Sequence, residues 1–180
     1  MAFDGAFLSR IIHEISQCAI GARVDKIHQP TREEIVISLR WKGGAEKLFL
    51  SAAANSPRIQ FTSAKFENPA SPPMFCMLLR KHLSSAKLIE IKQINLDRMV
   101  HFIFESINEM GDLVKITLAV EIMGRHSNII LIGEDNRIID AVKRIDENMS
   151  GVRQVLPGMQ FTLPPSQDKF NILESEPSEI

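Results

Sequence analysis

The chain has 180 residues, of which 44% are hydrophobic, and its formal net charge is −1. This length is typical of one domain, and it is sufficient to bury a core without support from disulfides or metal. The near-neutral charge argues against a protein that binds polyanions through a global positive field, so any contact with nucleic acid must be local.

The sequence also bounds the cofactor chemistry and the cell compartment. Cys18 and Cys76 form no CxxC or zinc spacing, so we expect free thiols in a reducing cytosol. The His13-Glu14 pair lacks the second histidine of a zinc-protease helix, and we expect no metal and no cofactor. No apolar run approaches the roughly 18 residues of a membrane span, and Asp4 and Arg10 interrupt any signal-peptide core. We therefore expect a cytoplasmic protein without membrane contact.

The first part of the chain predicts a helix followed by a meander of strands. Asp4 is a plausible N-cap, apolar residues from Phe7 to Ala19 share one stripe, and Gly21 follows the predicted end. Beyond it, short β-rich runs alternate with Pro, Gly and Asn turns. The predicted strands cover 23–28, 34–40, 46–51 and 58–61.

A second helix and a second meander follow a polar link at 62–71. Ser71 is a candidate cap, with Pro72 and Pro73 at the first helical positions. On the helix and just after it, Arg80, Lys81 and Lys87 form either a solvated face or a basic patch that contacts RNA. The strands of the second meander are predicted at 88–96, 99–106, 113–122, 128–132 and 137–142.

The order of these elements has no βαβ rhythm, which indicates the α+β class, with an antiparallel β-sandwich and flanking helices. From Lys143 the pattern becomes irregular. We expect residues 1–165 to form the domain and residues 166–180 to begin a linker to a following domain that is absent from this chain.

The turn between the predicted strands 113–122 and 128–132 carries the most informative chemistry. Gly124 allows close backbone approach, Arg125 pairs with phosphate or stacks on a base, His126 stacks, and Asn128 offers a donor and an acceptor. An ordinary solvated hairpin turn has the same composition. The adjacent Ile122-Met123 suits either core packing or an apolar shelf for a base.

A second candidate is Asp97-Arg98, between two predicted strands. An arginine donates to guanine O6 and N7, while a carboxylate accepts from the cytosine amino group, so the pair suits reading of base edges. The alternative is a tight turn in which Asp97 bonds local amides and Arg98 lies in water.

Four strings in this order resemble the N-terminal (NFACT-N) domain of the RqcH/NEMF ribosome quality-control family, often labelled fibronectin-binding proteins in bacteria. They are Phe75-Cys-Met-Leu-Leu-Arg-Lys-His-Leu83, Leu96-Asp-Arg98, Met123-Gly-Arg-His-Ser-Asn128 and Val152-Arg-Gln-Val-Leu-Pro-Gly158. The resemblance implies a fold similar to the N-terminal domain of formamidopyrimidine-DNA glycosylases. It also implies tRNA contacts by Asp97, Arg98, Glu121, Ile122, Met123, Gly124, Arg125 and His126, to which the chemistry above adds Asn128.

The function that the resemblance implies is to hold tRNA on a large ribosomal subunit that carries an obstructed peptidyl-tRNA. In bacteria it implies recruitment of alanyl-tRNA and C-terminal alanine tailing of the stalled chain. Peptide-bond chemistry would belong to the ribosome, so we expect a recognition domain and not an enzyme.

Two alternatives come from other functional classes. A surface adhesin that binds fibronectin fits the bacterial label, but the predicted lack of a secretion signal argues against it. A glycosylase-like DNA-binding enzyme would need an N-terminal proline nucleophile, whereas this chain opens Met1-Ala-Phe-Asp4. The sequence also contains no GxGxxG, GxxxxGK[ST], GxSxG or HExxH signature.

Overall fold

The computed structural model describes residues 5–94 and 98–165, so Asp97 and the expected linker lie outside the described residues. Two α-helices and nine strands occur in this part of the chain. The helices are α1 (Gly5–Ala19) and α2 (Met74–Leu83). The strands are β1 (Arg23–Thr31), β2 (Glu34–Trp41), β3 (Gly44–Ser51), β4 (Arg58–Thr62), β5 (Lys87–Gln93), β6 (Met99–Ile107), β7 (Leu113–Glu121), β8 (Asn128–Ile132) and β9 (Ile138–Ala141).

Both helices bury one apolar stripe against the sheet. In α1 the buried residues recur at helical spacing, from Leu8 to Ala19, and the helix packs against β2, β4 and β5. Helix α2 packs against β1, β6 and β9. It begins later than predicted, because Pro73 has extended backbone and occupies the N-cap without a side-chain cap bond, so Ser71 is not the cap. Neither described helix combines the length and apolarity needed to cross a bilayer.

All nine strands belong to one antiparallel sheet in the order β4-β3-β2-β1-β5-β6-β7-β8-β9. The two predicted meanders are its two halves. They join where β1 meets β5 through backbone hydrogen bonds such as Val24 N–H to Ala86 C=O (2.9 Å) and Leu88 N–H to Ala22 C=O (2.8 Å). This junction makes one continuous sheet from two local hairpin series.

The main core lies on the face of the sheet that carries the helices. In β2, the alternate residues Ile35, Ile37 and Leu39 enter it, as strand geometry requires. Phe102 and Leu118 contribute from the other half of the sheet to the same cluster, together with the buried stripes of both helices. The predicted α+β class, with antiparallel strands and flanking helices, is confirmed.

Residues 143–161, which we call the clasp, build a second core on the opposite face of β7, β8 and β9. The clasp is irregular, as predicted, but it is not a loose tail. Val155 and Phe161 are buried against Ile130 and Ile132, and the clasp forms antiparallel bridges at Ile145–Val155 and Arg137–Gln160. The outer face of the last three strands is therefore covered.

Phe161→Ala is expected to lower the free energy of unfolding by about 3 kcal/mol, because it removes a buried aromatic ring and leaves a cavity. Phe161 is 7% exposed, whereas Leu163 just beyond it is 45% exposed. Leu163→Ala is the matched control and should change stability by less than about 0.5 kcal/mol. Urea unfolding measures both variants, and equal losses would show that the clasp contributes no second core.

Candidate nucleic-acid interface

The predicted turn between β7 and β8 is a single 3₁₀ turn at Gly124–His126. Gly124 has φ +56°, a left-handed conformation that favours glycine. The buried Ser127 closes the turn, since its Oγ accepts the Met123 N–H at 2.8 Å. Arg125 and His126 are exposed at the tip, and Arg125 Nε lies 3.4 Å from His126 Nε2. The backbone thus fixes the turn, while the Arg125 guanidinium and the His126 imidazole face solvent.

Glu121, at the end of β7, has a different environment. Its side chain is 1% exposed, and both carboxylate oxygens accept from Arg153 of the clasp, at 2.9 Å and 2.8 Å. Arg153 also donates through Nε to the Thr162 C=O at 2.9 Å, and its guanidinium lies 5.3 Å from the centre of the Phe161 ring. A bidentate buried pair of this kind fixes the base of the turn to the clasp.

Ile122 and Asn128 are buried as well, each at 1% exposure. The Asn128 amide joins β8 to the residues after β9, because its Oδ1 accepts the Lys143 N–H (3.0 Å) and its Nδ2 donates to the Lys143 C=O (2.8 Å). Ile122 belongs to the main core. In this structure Glu121, Ile122 and Asn128 support the turn and do not present their side chains to solvent.

Arg98 lies beside the turn. Its C=O accepts the Ile122 N–H at 2.8 Å, and its partly exposed side chain lines a cleft of about 460 Å³ together with Ile122 and Gly124. The opposite wall comes from the first half of the sheet, with Phe7 of α1 and residues 55–60, which include Asn55, Arg58 and Gln60. Asp97 precedes Arg98 directly but lies outside the described residues.

Connecting segments from both halves of the sheet converge at this end of the molecule. Lys143 Nζ lies 3.5 Å from the Glu33 carboxylate in the β1–β2 turn and 3.4 Å from the Arg125 C=O. The Glu33 C=O accepts the Ala52 N–H, and Ala52 is the first residue of the loop between β3 and β4. We define the turn cluster as the cations Arg32, Arg58, Arg98, Arg125 and Lys143 together with His126.

The turn cluster gathers five cations at one end of a chain whose formal net charge is −1. Glu33 pairs with Lys143, and Glu121 is neutralised by Arg153, which is not counted in the cluster. A local excess of arginine beside partly exposed apolar and polar groups is the expected electrostatic footprint of RNA contact.

The basic residues predicted on and after α2 take separate positions. Arg80 donates through Nε to the Ile27 C=O at 2.8 Å, and Lys81 forms an exposed ion pair with Glu109 at 3.6 Å. Lys87 lies in β5, opposite Arg23. None of the three lines the cleft beside Arg98. Among the described residues, no three His, Cys, Asp or Glu side chains group as metal ligands would.

Comparison with known proteins assigns the chain to a family. The family model for NFACT N-terminal and middle domains matches residues 4–180. The chain belongs to this family. Rqc2 homolog RqcH of Bacillus subtilis (strain 168) is 45% identical over 181 residues, which cover 100% of this chain and 32% of that protein.

The chain is also similar to a human protein and to a solved bacterial structure. Ribosome quality control complex subunit NEMF of Homo sapiens is 28% identical over 146 residues, covering 81% of this chain and 13% of that protein. The crystal structure of the N-terminal domain of fibronectin-binding protein PavA from Streptococcus pneumoniae superposes with a TM-score of 0.88 at 38% identity, covering 96% of this chain and 69% of that one. The chain thus spans about a third of the length of its Bacillus relative.

Sequence reasoning did not identify Arg153, Lys143, Arg58 or Asn55 as part of this region. Arg153 lies inside one of the four strings that carry the family resemblance, so a signal for it was present. Its partner Glu121 is 32 residues away in the chain, and this long-range pairing is visible only in the fold. Arg58 and Asn55 come from the other half of the sheet and carry no local pattern.

Arg153→Ala is expected to cost about 3 to 5 kcal/mol of stability, because it leaves the Glu121 carboxylate buried without a partner. The control is Arg40→Ala, which breaks an ion pair of similar length (2.9 Å to Asp25) that is exposed to solvent. An exposed pair is worth about 0.2 to 1 kcal/mol. Chemical denaturation measures both, and a loss for Arg153→Ala no larger than for Arg40→Ala would contradict the role of the buried pair.

Because His101 is partly buried, we expect the free energy of unfolding to depend on pH. Its ring packs edge-on against Phe161 at 5.6 Å, and its pKa is lowered from 6.5 by burial, then by the cations of Lys92 and Arg153. Since the folded pKa lies below the unfolded one, the unfolded chain binds more protons as the pH falls, so stability present above pH 6.5 is lost toward acid.

His101→Phe should reduce this acid loss, because phenylalanine keeps the contact with Phe161 and removes both the titration and the buried, unpartnered Nε2. The pKa values of His28 and His82 are also lowered, mainly by burial, so part of the acid loss should remain. Unfolding titrations at pH 5 and pH 7 test this, and an unchanged difference between the two pH values would refute it.

Proposed function

We propose that the chain is the tRNA-recognition domain of a ribosome quality-control factor. The factor would bind an obstructed large ribosomal subunit with its peptidyl-tRNA and recruit tRNA, in bacteria alanyl-tRNA, for C-terminal tailing of the stalled chain. Family membership and the names of RqcH and NEMF support the quality-control role. The observation that carries the tRNA assignment is the turn cluster, which gathers cations from distant parts of a nearly neutral chain.

In this proposal the described residues divide by exposure. Arg98, Met123, Gly124, Arg125 and His126 contact RNA, because they reach the surface in or beside the cleft. Glu121, Ile122 and Asn128 are buried next to the turn and hold its backbone in position. Asp97 remains a proposed base reader, since a carboxylate next to an arginine suits amino groups on base edges.

The ligand that fits this surface is a single-stranded loop with splayed bases, such as an anticodon loop. Loop bases stack on histidine rings and guanidinium planes, and their edges bond to amides and carboxylates. The cleft beside Arg98, about 460 Å³, offers the apolar Phe7 and Ile11 together with the polar Asn55 and Gln60. Such a surface would recognise its ligand without covalent chemistry, so the proposed role is recognition in the cytoplasm and not catalysis.

An adhesin that binds fibronectin is the second candidate, because the structural relative from Streptococcus pneumoniae carries that name. The two candidates differ in where the protein is found. Ribosome-bound protein in cell fractions supports the quality-control role, whereas mainly surface-bound protein supports adhesion.

The test replaces the proposed contact residues in the native host and sequences the RNA that crosslinks to the protein. Asp97→Ala with Arg98→Ala, and separately Arg125→Ala with His126→Ala, should each reduce tRNA recovery by about tenfold or more, as loss of stacking and charged contacts implies. Lys115→Ala, at an exposed site on β7, is the control and should keep the wild-type RNA profile. Circular dichroism checks folding, and an unchanged tRNA profile in both double variants would refute the assignment.

A further inference from the structure

The face of β1–β4 opposite the main core carries a polar row that the turn cluster does not use. Strand register places Lys26 beside Ser38, Ser38 beside Lys47 and Lys47 beside Thr62, across four neighbouring strands. Since adjacent strands lie about 4.8 Å apart, the two lysines flank the serine hydroxyl at roughly 10 Å from each other. The row lines a cleft of about 710 Å³ that shares no lining residue with the cleft beside Arg98.

The segment after β4 crosses this face and closes one side of the cleft. Lys47 Nζ donates to the Ala64 C=O at 3.3 Å, and Phe66 stacks on Phe49 with ring centres 5.4 Å apart and planes 7° apart. Lys65 from the same segment also lines the cleft. The cleft therefore combines a polar row with a partly exposed aromatic ring beside it.

The charge of the cleft is positive. Lys26, Lys47 and Lys65 line it, against the carboxylates of Asp25 and Glu46. Asp25 is already paired, since Arg40 donates to it at 2.9 Å. Two lysines that flank a hydroxyl suit a phosphate, because ammonium groups supply charge and the hydroxyl donates a directed hydrogen bond.

His28 lies among cations at the edge of the same cleft. It lines the cleft one row away from Lys26, and its pKa is lowered first by burial and then by Arg80, Lys26 and Lys47. Arg80 Nη2 lies 3.4 Å from its Nδ1. Three cations that disfavour a charged imidazole would equally favour an anion at this position.

We propose that this outer cleft binds the phosphate group of a nucleotide, with Lys26, Ser38 and Lys47 around the phosphate and Phe66 beside the sugar or base. The nucleotide comes either from single-stranded RNA or from a free mononucleotide. This site lies apart from the turn cluster and does not rest on the function proposed there.

The test uses the 180-residue chain labelled with ¹⁵N and titrated separately with 5′-AMP and with a uridine octamer. Either probe should shift the backbone amides of Lys26, Ser38, Lys47 and Lys65, and the two arms identify the source of the phosphate. Lys26→Gln with Lys47→Gln should weaken binding at these signals about tenfold or more, and for the octamer should reduce the salt slope by about 1.4. Lys42→Gln with Lys115→Gln is the control at exposed lysines outside the cleft and should bind as wild type.

A bound phosphate should also raise the pKa of His28, because the anion offsets the neighbouring cations. Absence of shifts with both probes, equal binding by the Gln variant, or an unchanged His28 pKa at saturation would each overturn the proposal. Signals from Arg98 and from Gly124–His126 are followed in the same spectra, so failure of the tRNA surface is seen independently.

Discussion

The junction between β1 and β5 is the constraint on which the rest of the molecule depends. Each half of the sheet is a local meander, and neither half alone contains the turn cluster. The backbone hydrogen bonds of residues 21–24 with residues 85–88 align the halves, so the loop before β4 and the turn after β7 reach the same end. A nearly neutral chain thereby concentrates positive charge in one place without a basic segment in its sequence.

The buried Glu121–Arg153 pair explains how an exposed turn keeps a defined shape. Ion pairs of this kind add little net stability compared with apolar residues of the same size, but removing one partner is costly. The pair is better understood as a positional device that ties β7 to the clasp at the residue where the turn begins. Asn128 does the same on the other side of the turn through Lys143.

The sequence contains enough information for the elements but not for their long-range partners. Alternation in β2 and the stripe of α1 predicted strand and helix correctly, because period and burial are local properties. The start of α2 was misjudged, since Ser71 has the chemistry of a cap but Pro73 occupies that position. The polar chemistry of Glu121 and Asn128 is visible from residue type, whereas their burial depends on partners 32 and 15 residues away.

The clasp also covers one of the two edge strands of the sheet. A nine-stranded open sheet has two edges, here β4 and β9. Along β9, Ile138 N–H donates to the Met159 C=O and the Ile138 C=O accepts the Gly158 N–H, so the clasp occupies the backbone groups that another strand would otherwise pair with. Unpaired strand edges template aggregation. A chain cut before Gly158 is therefore expected to leave the Ile138 backbone at this edge open to pairing with another copy of the chain.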